Sequence, residues 1–293
     1  MGRTRVFWSA MTVPTETFSS PVSSTVARSW LLVSAARPDL FDHAAATSAD
    51  AIVLDLEDAV PAPGKPAARG HVARWLHRGG RAWVRINAAS TPDWIEDCRL
   101  LQTMPEVAGV VLAKTESADH IERTAEFLGP QCPVVALVES ALGLEQAGAI
   151  AAHPATVRLA FGVGDFRRDT GIGDEPIALA YARSRLVIAS RAASIAGPID
   201  GPTLDTQPPA LAQDCTLTVS MGMTGKLTLR PEQVGSINAM LGPSVADRRW
   251  AQSVIEELGE GGERVGDGSD LPRLARAQRI RDLAGALRCP DLP

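Results

Sequence analysis

The feature that most limits what this chain can fold into is an alternation of short apolar runs and longer helical stretches from residue 28 onward. The runs are SWLLVS (29–34), DAIVLDL (50–56), AWVRI (82–86), GVVLAK (109–114), VVALVE (134–139), VRLAFG (157–162), GPID (197–200) and KLTL (226–229). Several are continuously apolar, as strands buried on both faces of a parallel sheet must be. Segments with helical spacing lie between them, for example PAARGHVARWLHR (66–78) and IALAYARSRLVIASRAASI (177–195). Strand followed by helix about eight times predicts an α/β fold with a parallel sheet. No G-x-G-x-x-G follows the first strand, which argues against an open dinucleotide-binding sheet. Nearly every run also ends in polar or charged residues: DLED, RIN, AK, VES, GVGD and DG. Only a closed barrel brings all such ends to one rim, the rim where barrel active sites form. The expectation is therefore a (β/α)8 TIM barrel over residues 28–243.

The chain has 293 residues, room for one barrel of about 250. Residues 1–27 contain a Ser/Thr/Pro-rich stretch and a weak apolar segment, VFWSAMTV, and read as a mostly disordered extension. Residues 244–293 hold two helical stretches, about 244–258 and 271–288, around the linker GEGGERVGDGSD, and read as a C-terminal helical extension or lid. A net charge of −5 gives no sign of a nucleic-acid partner. No apolar run approaches the roughly 18 residues of a membrane span. Four cysteines without a C-x-x-C pair suggest reduced thiols and a cytoplasmic protein.

Among the carboxylates, Glu139 closes strand five and Asp165 follows strand six, so a barrel places them side by side. Two hard oxygen ligands without a nearby histidine suit Mg2+ or Mn2+, with water and substrate completing the shell. A structural ion pair at a strand end is the competing reading. Asp55, Glu57 and Asp58 crowd the end of strand two. They either pair with Lys65, Arg69 or helix N-termini, or form a supporting network that orients Arg85 and the metal site; Lys114 is placed in that same supporting set. Arg85 lies between Val84 and Ile86, so it faces the side of strand three opposite to theirs. If that side is the barrel interior, its guanidinium must meet an anion, and a substrate carboxylate or a developing enolate would serve. The five histidines fall in helical or loop segments, which removes zinc–histidine and Ser–His chemistry. Only three of the 29 basic residues are lysines: Lys65, Lys114 and Lys226. Each sits in one of the motifs below, and lysine differs from arginine in reach and geometry.

Taken together, the ordered motifs resemble the citrate lyase β-subunit and malyl-CoA lyase family. They are RSWLLVSAARPD, ADAIVLDLEDAVPAPGK, VRIN, GVVLAKTES, ALVESALGL, FGVGDF, YARSRLVIASRAA with IDGP, GMTGKLTLRPEQ and DGSDLPRLARAQRI. The resemblance covers about Arg28 to Ala284. It implies a (β/α)8 barrel with a C-terminal extension, assembled as a homo-oligomer, trimer or hexamer. It implies Mg2+ on Glu139 and Asp165, with Gly164 beside them in the substrate site. Arg85 would bind acyl or keto-acid oxygens, and Arg28 would add a second anion contact. Asp270 would be delivered to a neighbour's barrel as an acid–base group. The implied reaction splits a 3-hydroxyacyl-CoA, such as malyl-CoA or citramalyl-CoA, into acetyl-CoA and a 2-keto acid, or runs in reverse. The alternatives are a CoA-independent hydroxy-keto-acid aldolase and a catalytically weakened barrel that serves as a binding subunit. Two segments depart from the family pattern, Ser34-Ala35-Ala36 and Leu229-Arg230-Pro231, and both lie near the acyl-CoA path in relatives.

Overall fold

The computed structural model describes residues 22–292. Eight strands form a closed barrel in strict chain order: β1 (Ser29–Ser34), β2 (Ala51–Asp55), β3 (Trp83–Ile86), β4 (Gly109–Leu112), β5 (Val134–Val138), β6 (Thr156–Phe161), β7 (Ile199–Asp200) and β8 (Gly225–Thr228). Every neighbouring pair is parallel, and β8 closes on β1. The connecting helices are α1 (Phe41–Ala45), α2 (Lys65–His77), α3 (Pro92–Leu101), α4 (Ala118–Leu128), α5 (Ala141–Glu145), α6 (Ala147–Ala152), α7 (Val163–Thr170), α8 (Pro176–Ala192), α9 (Pro208–Ser220) and α10 (Val234–Leu241).

The two-residue period of the strands sorts the core into two clusters. Leu31, Leu54, Val84, Ile86, Leu112, Val138 and Phe161 face the helices. Trp30, Val53, Trp83, Val111, Val135, Leu137, Ala160 and Leu227 pack together in the other cluster, inside the barrel. Following the inward positions along a strand shows how the rim is made. Ala51 and Val53 lead to Asp55, Trp83 leads to Arg85, and Val135 and Leu137 lead to Glu139. The apolar inward residues fill the lower barrel, and the charged one surfaces at the C-terminal end.

Of the extension expected over 1–27, residues 1–21 lie outside the described residues. Residues 22–27 depart from the expectation. Ala27 is fully buried and its carbonyl accepts from both Arg158 and Trp30, so this segment is tied to the N-terminal end of the barrel. At the other terminus, α11 (Val245–Leu258) and α12 (Asp270–Ala286) pack on each other through a small core of their own: Ala251, Val254, Leu258, Leu274 and Ala277. Ser244 and Asp247 form a capping box that starts α11. No helix among the described residues is long and apolar enough to cross a membrane.

Candidate active site at the C-terminal rim

The acids of the second strand end turn inward and meet two cations. Asp55 binds Arg85 through both oxygens, at 2.7 Å from Nε and 2.5 Å from Nη2. Arg85 Nη1 lies 3.4 Å from Glu57. Glu57 also takes the Lys114 ammonium, which stands 3.4 Å from Asp58 and 3.4 Å from Asp165. The predicted pairing of these acids with Lys65 and Arg69 is not what forms. Lys65 Nζ instead donates to the carbonyls of Leu56 and Glu57 and to Asn87 Oδ1, and Arg69 pairs with Asp93 and Asp97. The reason is reach. Lys65 starts α2 beneath the loop, where backbone oxygens are the nearest acceptors, and Arg69 faces α3.

Glu139 is buried, and its Oε1 accepts the Lys114 backbone N–H at 2.7 Å. Lys114 holds this position with φ 48°, a left-handed conformation that costs a non-glycine residue free energy and often marks a functional site. Burial pushes the Glu139 carboxyl up to about 8; the Lys114 N–H opposes this, and the charges of Glu57 and Asp165 add to it. Gly162, between β6 and α7, leaves the space that Glu139 uses: a Cβ there would lie 2.3 Å from Glu139 Oε2. Asp165 sits in the first turn of α7. Its Oδ1 is 3.1 Å from Arg168, and its buried Oδ2 makes no hydrogen bond. Gly164 precedes it at an exposed point, with open space where a side chain would stand.

A hard divalent cation fits this set. Two carboxylates, Glu139 just after β5 and Asp165 in the first turn of α7, both meet Lys114, and one buried Asp165 oxygen lacks a hydrogen-bond partner. Among the described residues no cluster of three or more His, Cys, Asp or Glu offers a fuller cage, so water and substrate would supply the remaining ligands.

Two expected participants lie elsewhere. Arg28 precedes β1, at the opposite end of the barrel. Its guanidinium binds both oxygens of Asp50 and the Asn238 carbonyl. At about 3.3 Å per residue, the six-residue β1 separates it from the rim by about 20 Å, so as a substrate contact it is corrected. Asp270 opens α12, where its Oδ2 accepts the N–H groups of Gly266 and Asp267 and its Oδ1 meets Arg273. Within one chain these contacts hold the glycine-rich loop, and none of them reaches the rim. The strand-seven carboxylate, Asp200, faces outward and binds Arg183 and Thr218 behind the barrel wall. Sequence reasoning missed Arg168 and the packing role of Gly162. Arg168 is three residues beyond Asp165, a spacing that only becomes a contact once α7 is known to start at Val163.

A parallel barrel with an acidic pair, a carboxylate-anchored arginine and a lysine on its C-terminal rim has the layout of a barrel enzyme whose rim is suited to a divalent metal. The HpcH/HpaI aldolase/citrate lyase family matches residues 28–231, and its HpcH/HpaI aldolase C-terminal domain matches residues 246–288. The chain belongs to this family, and with it to the carbon–carbon lyases. A citrate lyase subunit beta-like protein of Deinococcus radiodurans is 30% identical over 275 residues, covering 86% of this chain and 95% of that protein. The mitochondrial citramalyl-CoA lyase of Homo sapiens is 28% identical, covering 82% and 80%. The solved structure of CitE from Mycobacterium tuberculosis in complex with magnesium, acetoacetate and coenzyme A has a TM-score of 0.73 at 29% identity, covering 89% of this chain and 99% of that one.

Proposed function

We propose that the protein is a Mg2+-dependent lyase that cleaves, or in reverse forms, a 3-hydroxyacyl-CoA such as malyl-CoA or citramalyl-CoA, giving acetyl-CoA and a 2-keto acid. The observation that carries this reading is that Glu139 and Asp165 both meet Lys114 and feel each other's charge, with an Asp165 oxygen buried and without a hydrogen bond. The complex of the solved relative with magnesium, acetoacetate and coenzyme A agrees with that chemistry.

Glu139 and Asp165 would hold Mg2+ (Mn2+ in its place), which when bound lowers the cost of negative charge on the substrate's hydroxyl and carboxylate oxygens. In the cleavage direction the hydroxyl proton leaves and the carbinol carbon becomes the ketone of the keto acid. The electron pair of the broken C–C bond passes to the thioester as an enolate. A proton returned to its carbon completes acetyl-CoA. Arg85 supplies the cation for the enolate oxygen. Asp55 fixes that guanidinium before substrate arrives, so little reorganisation is left for the reaction itself. Asp55, Glu57, Asp58 and Lys114 support the geometry, and the exposed backbone at Gly164 leaves room for substrate.

The proton donor in this reading is Asp270 of a neighbouring copy, in a homotrimeric or hexameric cytoplasmic enzyme. Its position beside the glycine-rich run before α12 supports such a delivery. The function is tested by incubating the protein with malyl-CoA and citramalyl-CoA and measuring keto acid and acetyl-CoA, with Mg2+ and with EDTA. Mg2+-dependent release of both products that Asp165→Ala removes is expected. Failure to cleave or condense either thioester, alongside turnover of a free hydroxy-keto acid, would replace the proposal with a CoA-independent aldolase.

A further inference from the structure

Lys114 touches the inferred metal ligands in two different ways. Its backbone N–H donates to Glu139 Oε1 at 2.7 Å. Its ammonium stands 3.4 Å from Asp165 Oδ2, the buried oxygen without a hydrogen bond, while also engaging Glu57 and Asp58. The backbone contact depends on the φ of 48° and is rigid. The side-chain contact hangs on a four-carbon stem and is not.

The carboxylates also divide unevenly. Asp55 is matched by Arg85, and Asp165 Oδ1 by Arg168. Lys114 faces Glu57 Oε1, Asp58 Oδ1 and Asp165 Oδ2, while Arg85 reaches only the other oxygen of Glu57. A dication bound to Asp165 Oδ2 and an ammonium 3.4 Å from the same oxygen repel each other with twice the force of two unit charges. The ammonium already engages Glu57 and Asp58, so it can leave Asp165 and keep carboxylate partners.

We propose that Lys114 is an internal counter-cation that shares Asp165 with the divalent ion and withdraws to Glu57 and Asp58 when the ion binds. The backbone of the same residue keeps Glu139 in place throughout. Lys114 thereby sets the metal affinity below what two bare carboxylates would give. This inference rests on the metal reading of Glu139 and Asp165. A purely supporting lysine would have the opposite effect on removal, since losing the support would loosen the ligands and weaken binding.

The experiment is a calorimetric titration with Mg2+ alone, without substrate, on the wild type, Lys114→Met and Lys114→Arg. Lys114→Met should bind Mg2+ about tenfold tighter or more, and Lys114→Arg no tighter than the wild type. Equal or weaker binding by Lys114→Met overturns the proposal while leaving the metal reading intact. Absence of Mg2+ binding in the wild type and in Lys114→Met overturns both. A second measurement uses the wild-type chain and does not depend on the variant folding. Lysine labelled with 13C at Cε gives three signals, because the chain has only Lys65, Lys114 and Lys226, and of these Lys65 and Lys226 are buried. Saturation with Mg2+ should move one of the three strongly. Three signals that stay in place under calorimetrically verified Mg2+ saturation overturn the withdrawal.

Discussion

Two arginines sit inside the same barrel on different walls of it, and they are treated in opposite ways. Arg85, on β3 near the C-terminal rim, is anchored by the Asp55 carboxylate and remains 12% exposed. Asp55 and Glu57 hold it cationic, raising its pKa against the effect of burial. Arg158, on β6 near the N-terminal end, is completely buried and donates only to neutral oxygens: the carbonyls of Ser24, Ala27 and Gly197 and the Thr224 hydroxyl. Burial without a carboxylate pulls its pKa down to about 9. The lower arginine has its donors consumed by the backbone and closes the barrel. The upper one is fixed in orientation by a carboxylate, yet keeps a side open to whatever enters the rim. What separates a structural from a functional buried charge here is the kind of partner, not the depth alone.

The largest expected effect comes from applying one conservative change to the upper arginine. Arg85→Lys keeps the charge and loses the two-point contact with Asp55. The kcat for thioester cleavage should fall on the order of 100- to 1000-fold, as when an oxyanion donor is removed, with Mg2+ affinity little changed. An unaltered kcat would make Arg85 structural and erase the contrast between the two ends.

Next in size is Arg28→Ala at the lower end. Asp50, whose side chain is only 4% exposed, would lose its guanidinium, and breaking such a buried pair costs about 3 kcal/mol. Urea denaturation should report that loss, while KM for the acyl-CoA stays the same. A raised KM with unchanged stability would return Arg28 to the substrate site.

The rim should also respond to pH. Because burial raises the Glu139 pKa from 4.5 to about 8, the folded, metal-free chain retains a proton there that the unfolded chain gives up above 4.5. Its contribution to stability is therefore full below about 4.5 and is lost as pH rises through about 8. A metal ion requires the carboxylate and must displace that proton. Mg2+ affinity should rise by up to about tenfold per pH unit between about pH 6 and 8 and then level off. Calorimetry in two buffers of different ionisation enthalpy would detect the released proton at about pH 7; zero proton release at that pH contradicts the assignment.

The smallest effect is expected from Arg158→Lys. Several hydrogen bonds at the barrel floor are replaced by fewer. Gly197 O keeps a second donor in Thr224 and Ala27 O one in Trp30, so the change should cost about 1 kcal/mol of stability. Activity per folded molecule should not change. A large activity loss would mean that the two ends are coupled.

The sequence alone was enough for the barrel and for the acidic rim. Continuous apolar runs at regular intervals specify buried parallel strands, and the inward period of two carries Asp55, Arg85 and Glu139 to the strand ends whatever the loops do. Those are local properties, and they can be read along the chain. Tertiary structure decided everything that depended on which strand end a residue occupied and on what lay across the barrel. The family resemblance makes Arg28 an anion contact beside Arg85, but Arg28 precedes β1 and Arg85 nearly ends β3, and the length of a strand divides them. Asp200 ends its strand as Glu139 does, yet the pleat turns it outward to Arg183. Lys114, Glu57 and Asp165 are far apart in sequence, and only closure of the barrel sets one ammonium among their carboxylates. Such pairings are decided by distances through space and by which backbone oxygens are nearer, and no spacing along the chain encodes them.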